Sequence, residues 1–166
     1  MSMGLALLTL FHTALSIVAL LIGIVVVADL MQGTTVPRWN RPFLITAIAT
    51  SLTGFFFPIT QILPSHIVGG VALVVLAGTL LAQFTFGLRG AFRSLYIAGL
   101  VASEFFLTFV LVAQLYLRVP GLHALAPTGS EPAFGITQLV VLLFFVYAGF
   151  VAVRRARSGG MVGVHA

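Results

Sequence analysis

The 166-residue chain is 60% hydrophobic and 7% charged, and its net charge of +5 comes from eight basic residues set against three acidic ones. A soluble domain carries about a quarter charged residues, so this chain lacks the polar surface to fold in water and the lipid bilayer must be its solvent. The lack of cysteine removes disulfides, thiolate metal sites and cysteine nucleophiles, and the basic residues, all arginines beside apolar runs, mark topology rather than nucleic-acid binding.

A transmembrane helix needs about 20 mostly apolar residues. Five stretches qualify, at about 5–30, 42–63, 65–88, 92–117 and 134–153. The expected fold is therefore all-α: a polytopic membrane helix bundle of five transmembrane helices, with residues 1–157 as one membrane domain and 158–166 as a flexible, Gly-rich tail. The first stretch reads as a retained span rather than a signal peptide. No basic residue precedes it, and its apolar run over 5–27 is too long for a signal's hydrophobic region. The second is diluted by Thr46, Thr50, Ser51, Thr53 and Gly54, with Pro58 near its end. Positions 46, 50, 53 and 54 share one helical face. Gly70, Ala77 and Gly78 give the third span a similar small face, and such faces let helices approach closely.

Arginine placement predicts the orientation. Arg38 and Arg41 lie between spans one and two, Arg89 and Arg93 between three and four, and Arg154, Arg155 and Arg157 after span five. In a five-span chain these fall on one side and leave Arg118 alone on the other. The positive-inside rule then places the N-terminus outside and the C-terminus in the cytoplasm. Trp39 and Tyr96 are expected at the inner interface and Tyr116 at the outer one.

The outer side carries the elaborated connections. One is the turn around Gln61, Pro64 and Ser65, where Ser65 suits an N-cap for span three. The other is the loop over 118–135, in which Pro127 and Pro132 restrict the backbone and Gly129 allows a turn. Glu131 is expected to pair with Arg118 across the mouth of this lid. The stretches Leu63-Pro64-Ser65-His66-Ile67-Val68-Gly69 and Leu125-Ala126-Pro127-Thr128-Gly129-Ser130-Glu131-Pro132 resemble a group of uncharacterised small bacterial multi-span integral membrane proteins. The likeness extends to Thr-Gly-Phe-Phe-Phe-Pro at 53–58 and Phe-Val-Leu-Val-Ala-Gln at 109–114. It implies a multi-pass protein of the bacterial inner (cytoplasmic) membrane and brings no activity with it.

Ionisable residues inside a span cost about 2.5–3.5 kcal/mol on insertion scales, so they face protein or water. Asp29 can reach the inner interface and pair with Arg38 or Arg41. His12 lies about 10 Å below the outer end of span one and shares a helical face with Thr9 and Ser16. His66 opens span three on the same side, while Gln114 and Gln138 close spans four and five there. A ligand pocket lined by His12, Ser16, His66, Gln114 and Gln138 could therefore sit under the Pro-rich loop. His12 and His66 are the minimum for bis-imidazole ligation of haem b, or for part of a metal site. A histidine among glutamines also suits the carbonyls of a quinone. The plainer reading is that His12 bonds across helices to a Ser, Thr or Gln and His66 caps a helix.

Glu104, near the middle of span four, reads either as a proton-relay or ion-pathway carboxylate or as a carboxyl bonded to Thr46, Thr50 or Gln83. Against transport stand the single in-span carboxylate, the odd number of spans and the lack of a visible repeat. Serine hydrolase and nucleotide-binding motifs are missing from the sequence, so a non-enzymatic protein is expected. The leading expectation is a binding or accessory subunit holding a hydrophobic ligand, quinone or lipid, in the outer half. A haem-binding electron carrier and a proton-coupled transporter or channel subunit centred on Glu104 are the alternatives. Expected partners are the lipid bilayer, other membrane subunits or a second copy of the chain, with no nucleic acid.

Overall fold

The computed structural model describes residues 3–57 and 64–159. These residues form α1 (Met3–Met31), α2 (Asn40–Gly54), α3 (Pro64–Leu80) with a π-helical turn at Leu81–Thr85, α4 (Ala91–Arg118), the short α5 (Pro120–Leu125) and α6 (Pro132–Gly159). No strand occurs among the described residues. Apolar runs become helices because hydrocarbon offers no water to the backbone, and a helix satisfies its N–H and C=O groups within one segment. Among the described residues four helices are long and apolar enough to cross a membrane: Met3–Met31, His66–Thr85, Ala91–Arg118 and Pro132–Ser158. With 15 residues, α2 is about 22 Å long at 1.5 Å per residue, against a hydrocarbon core of about 30 Å. After α2 the chain turns at residues 55–57, and residues 58–63 of the expected second span, with Pro58 and Gln61, lie outside the described residues, as do the side chain of Ser65 and residues 160–166 of the expected tail.

Successive long helices alternate in direction. His12 meets Thr53, and Gly23 meets Phe43, so α2 runs antiparallel to α1. His66 at the start of α3 packs beside Phe55 just after α2, and Thr79 of α3 meets Gly99 of α4. Along the α4–α6 seam the pairs Ser94–Arg157, Phe105–Phe145, Phe109–Gln138 and Tyr116–Thr137 run in opposite chain order. The helix ends thus gather into two groups. At one, Arg155 Nη1 donates to Met31 O at 2.6 Å, Arg157 Nε to Ser94 Oγ at 3.2 Å, and Asn40 Nδ2 to Tyr96 OH at 2.6 Å. This is the arginine end. The opposite end holds His12, Thr53, His66, Tyr116 and the loop with α5.

The hub is α4, which packs against α1, α2, α3 and α6 and buries Tyr96, Ile97, Leu100 and Val101. Lipid tails are as apolar as leucine, so the cohesion here comes from close packing and interhelical hydrogen bonds rather than from excluding water. Outward faces are apolar as well: Leu7, Leu10, Leu21 and Ile24 on α1 and Leu143, Phe144 and Tyr147 on α6 are all exposed, as a hydrocarbon solvent permits.

Several expectations change. The last helix continues past residue 153 through its arginines to Gly159, because charge ends a membrane crossing without ending the hydrogen-bond ladder. Ser158, expected in the tail, therefore belongs to α6. Tyr96 is not an interfacial anchor: it is fully buried on Asn40. Tyr116 is likewise buried, bonding Thr137 Oγ1 at 2.8 Å and donating to Ala133 O at 3.2 Å. Glu131 does not pair with Arg118. Its carboxylate accepts from Thr128 N (3.0 Å), Thr128 Oγ1 (2.9 Å) and Ser130 N (3.1 Å), closing its own turn.

Candidate functional site

His12 on α1 bonds Thr53 Oγ1 on α2 through Nδ1 at 2.9 Å. Thr53 Oγ1 also lies 2.8 Å from Ala49 O and 3.1 Å from Thr50 O; a hydroxyl proton turned to its own helix makes Nδ1 of His12 the donor and leaves the lone pair on Nε2. The ring stands edge-on to Phe57, with centroids 5.3 Å apart. Ser16 turns its hydroxyl back to His12 O at 2.7 Å and spends its proton on its own helix. His66 lies 6.0 Å from Phe55, ring to ring. Both imidazoles therefore lean on the end of α2, His12 through Thr53 and Phe57 and His66 through Phe55.

The two glutamines go elsewhere. Gln138 is buried in the α4–α6 seam, where Nε2 donates to Phe109 O at 3.0 Å. Gln114 is exposed and accepts from Arg118 Nε at 3.0 Å. The expected pocket thus divides. The histidines flank α2, Gln138 sits at a different seam, and Gln114 faces outward. Side-chain type and depth along a span do not fix rotation about its axis, and rotation separates these residues. His12 and His66 each pack a ring against the aromatic residues that follow α2, Phe57 and Phe55 respectively. Among the described residues no three His, Asp or Glu side chains gather as metal ligands.

Glu104 is the most unusual residue in the bundle. It is 1% exposed, and neither carboxyl oxygen has a hydrogen-bond partner among the described residues. Its carboxyl lies on the backbone of α1 at Gly23, in the space a Cβ there would fill, with the Phe43 ring of α2 alongside. The partners expected from the sequence do not reach it. Thr46 turns back to Pro42 O and Phe43 O, while Thr50 Oγ1 and Gln83 Oε1 are themselves buried without a partner. Asp29 likewise makes no ion pair with Arg38 or Arg41; the described residues contain a Thr34 N–H donating to its backbone carbonyl at 3.1 Å.

A groove of about 610 Å³ runs along the α4–α6 seam. On α6 its wall is a single helical stripe through Leu142, Val146, Gly149, Phe150 and Val153, ending on Arg154, Arg157 and Ser158. Ala98, Val101, Ala102 and Phe105 form the α4 wall. Alanines and Gly149 leave the room, since larger side chains there would close the seam. Apart from its arginine mouth the groove is lined by apolar side chains. It opens at the arginine end, away from the His12 side.

Comparison with known protein families, characterised proteins and solved structures finds no match to this chain. The residues that build the groove carried a sequence signal of their own. Positions 142, 146, 149, 150 and 153 repeat at helical spacing, and Arg154 and Arg157 continue that stripe. Gly23, a lone glycine in a run of Leu, Ile and Val, was the available sign of a close contact on α1.

Proposed function

We propose that this chain is a binding or accessory subunit of a bacterial inner membrane that holds a hydrophobic ligand, a lipid or a quinone. The observation that carries this reading is the 610 Å³ groove between α4 and α6, apolar along its length and basic at one mouth. Ligand sites are commonly apolar clefts with a few polar groups that fix orientation, and the seams between bundle helices are a usual place for them. The site moves from the outer-half pocket expected under the Pro-rich loop to the opposite end of the bundle.

The proposal includes five crossings, with the N-terminus outside and the C-terminus cytoplasmic. The alternation of helix direction supports it, because His12 and His66, near the starts of α1 and α3, both meet the end of α2. So does the gathering of Arg155 and Arg157 with the end of α1 and the start of α4. Reporter tags fixing both termini in one compartment would refute the orientation.

The ligand reading is tested by organic extraction of protein purified in mild detergent, followed by mass spectrometry. A lipid or quinone retained in fixed ratio to protein, and lost in Ala102→Trp, is the expected result. Equal retention in the blocked variant would reject the groove as the site. A second reading, proton-coupled transport centred on Glu104, is favoured by the burial of that carboxyl without a partner. Its test is flux in proteoliposomes with Glu104→Gln, where unchanged flux dismisses Glu104.

A further inference from the structure

We propose that the occupant of the α4–α6 groove is a single anionic phospholipid, its phosphate held by Arg154 and Arg157 and one acyl chain laid along the α6 stripe. This inference rests on the groove reading above and names its ligand class.

Charge complementarity identifies the headgroup. The two guanidiniums stand at the mouth, one turn apart on α6, and the Ser158 hydroxyl lies beside them, donating to Arg154 O at 3.1 Å. Arg157 Nε is fixed on Ser94 Oγ of α4, which orients the fork and leaves its two terminal nitrogens to donate outward. No described carboxylate forms an ion pair with either arginine, so both charges await an anion. A guanidinium meets two phosphate oxygens with parallel N–H donors, and an arginine so anchored loses little freedom in doing so.

The apolar part fits the rest. From Val153 to Leu142 the apolar stripe spans about 17 Å at 1.5 Å per residue. That matches one leaflet of about 15 Å, half of the roughly 30 Å hydrocarbon core, so the groove can follow an acyl chain from the headgroup level to the midplane. Exposed Phe150 and half-buried Phe105 offer ring faces along it. A quinone would place a neutral ring at the mouth and leave two arginines without a counter-charge, so the phospholipid is the better match. The remaining arginines of this end, Arg38, Arg41, Arg89, Arg93 and Arg155, attract acidic lipids diffusely, and Arg38 and Arg41 serve as the control.

The experiment is native mass spectrometry of the intact protein released from bilayers of equal chain length, either phosphatidylglycerol or phosphatidylcholine. Four proteins are compared: wild type, Arg154→Gln/Arg157→Gln, Arg38→Gln/Arg41→Gln and Ala98→Trp. One phosphatidylglycerol should stay bound to wild type, and retention should fall about thirtyfold in the 154/157 variant, as losing two charge contacts near the membrane surface implies. The 38/41 variant should retain it as wild type does, and Ala98→Trp should lose it by filling the groove. Equal retention of phosphatidylcholine by wild type would overturn the anionic headgroup while leaving a hydrophobic-ligand groove standing. An equal fall in the 38/41 variant would show a diffuse charge belt and overturn the site. Full retention by Ala98→Trp would remove the groove itself, and the functional reading with it.

Discussion

The carboxyl of Glu104 rests on the α1 backbone at Gly23, occupying the volume that any larger residue there would need. The contact joins three helices, because Phe43 of α2 closes the same space. It also explains a glycine set among Leu, Ile and Val over residues 20–27 of α1.

Gly23→Ala should therefore destabilise the bundle by overpacking, by about 1–3 kcal/mol. The closest clash is with Glu104 and a lesser one is with the Phe43 ring, so the cost should shrink, without vanishing, in a Glu104→Ala background. Thermal unfolding in detergent of the two single variants and the double variant measures the coupling. Equal losses with and without the Glu104 side chain would show that the two residues do not touch.

Asn40 and Tyr96 form the second polar contact through the interior. Asn40 is 4% exposed and Tyr96 fully buried, and the amide donates to the phenol oxygen at 2.6 Å. Tyr96→Phe removes the acceptor and leaves a buried amide unsatisfied, which should cost about 1–3 kcal/mol. Adding Asn40→Leu removes the orphaned group and should restore part of the loss. If the double variant is less stable than Tyr96→Phe alone, the bond is not what holds the start of α2 to α4.

Glu131 gives a pH-dependent prediction away from the membrane core. Desolvation acts to raise its pKa, but the hydrogen bonds from Thr128 N–H, Thr128 Oγ1 and the Ser130 N–H together outweigh it and hold the carboxyl below the ordinary range. A carboxylate depressed in the folded state contributes stability above its unfolded pKa and loses it as pH falls through the folded one. The turn over 128–131 should thus be intact at neutral pH and open only as pH falls below the ordinary carboxylate range. Amide exchange at Thr128 and Ser130 reports this, after correction for the intrinsic pH dependence of exchange. Glu131→Gln should flatten the profile; a profile unchanged by that substitution would sever it from the carboxylate.

Hydropathy located the long helices because it reports the solvent each segment tolerates. Their ends differ for the same reason: residues 154–159 leave the hydrocarbon yet remain helical. The six-residue α5 was hidden among prolines, although Pro120 is well placed at the start of a helix, where a missing N–H matters least. The grouping of arginines at one end was legible, and the Arg155–Met31 bond draws that end together. The site was less so. Gln114 and Gln138 lie at similar depth, yet one faces outward and the other a seam, and depth alone does not specify rotation. Glu104 stood out from chemistry, but its neighbour Gly23 became visible only once α1 and α4 were side by side.

His12 offers a test of site chemistry that does not depend on any ligand. The hydroxyl of Thr53 has one proton, which turned to its own helix at Ala49 O or Thr50 O leaves the His12 ring to bring its own proton to the 2.9 Å contact through Nδ1. The neutral ring is then the Nδ1–H tautomer, with Nε2 free to accept a hydrogen bond or to meet a metal. Solid-state NMR of ¹⁵N-histidine-labelled protein, with His12 assigned by comparison with His12→Gln, should show protonated Nδ1 and bare Nε2. Thr53→Val keeps the side-chain shape and removes the acceptor, so it should release the ring to the Nε2–H form and cost about 1 kcal/mol of stability. An Nε2–H tautomer already present in wild type would mean that Thr53 donates to His12 instead. The nitrogen available for chemistry at this end of the bundle would then be the one already engaged.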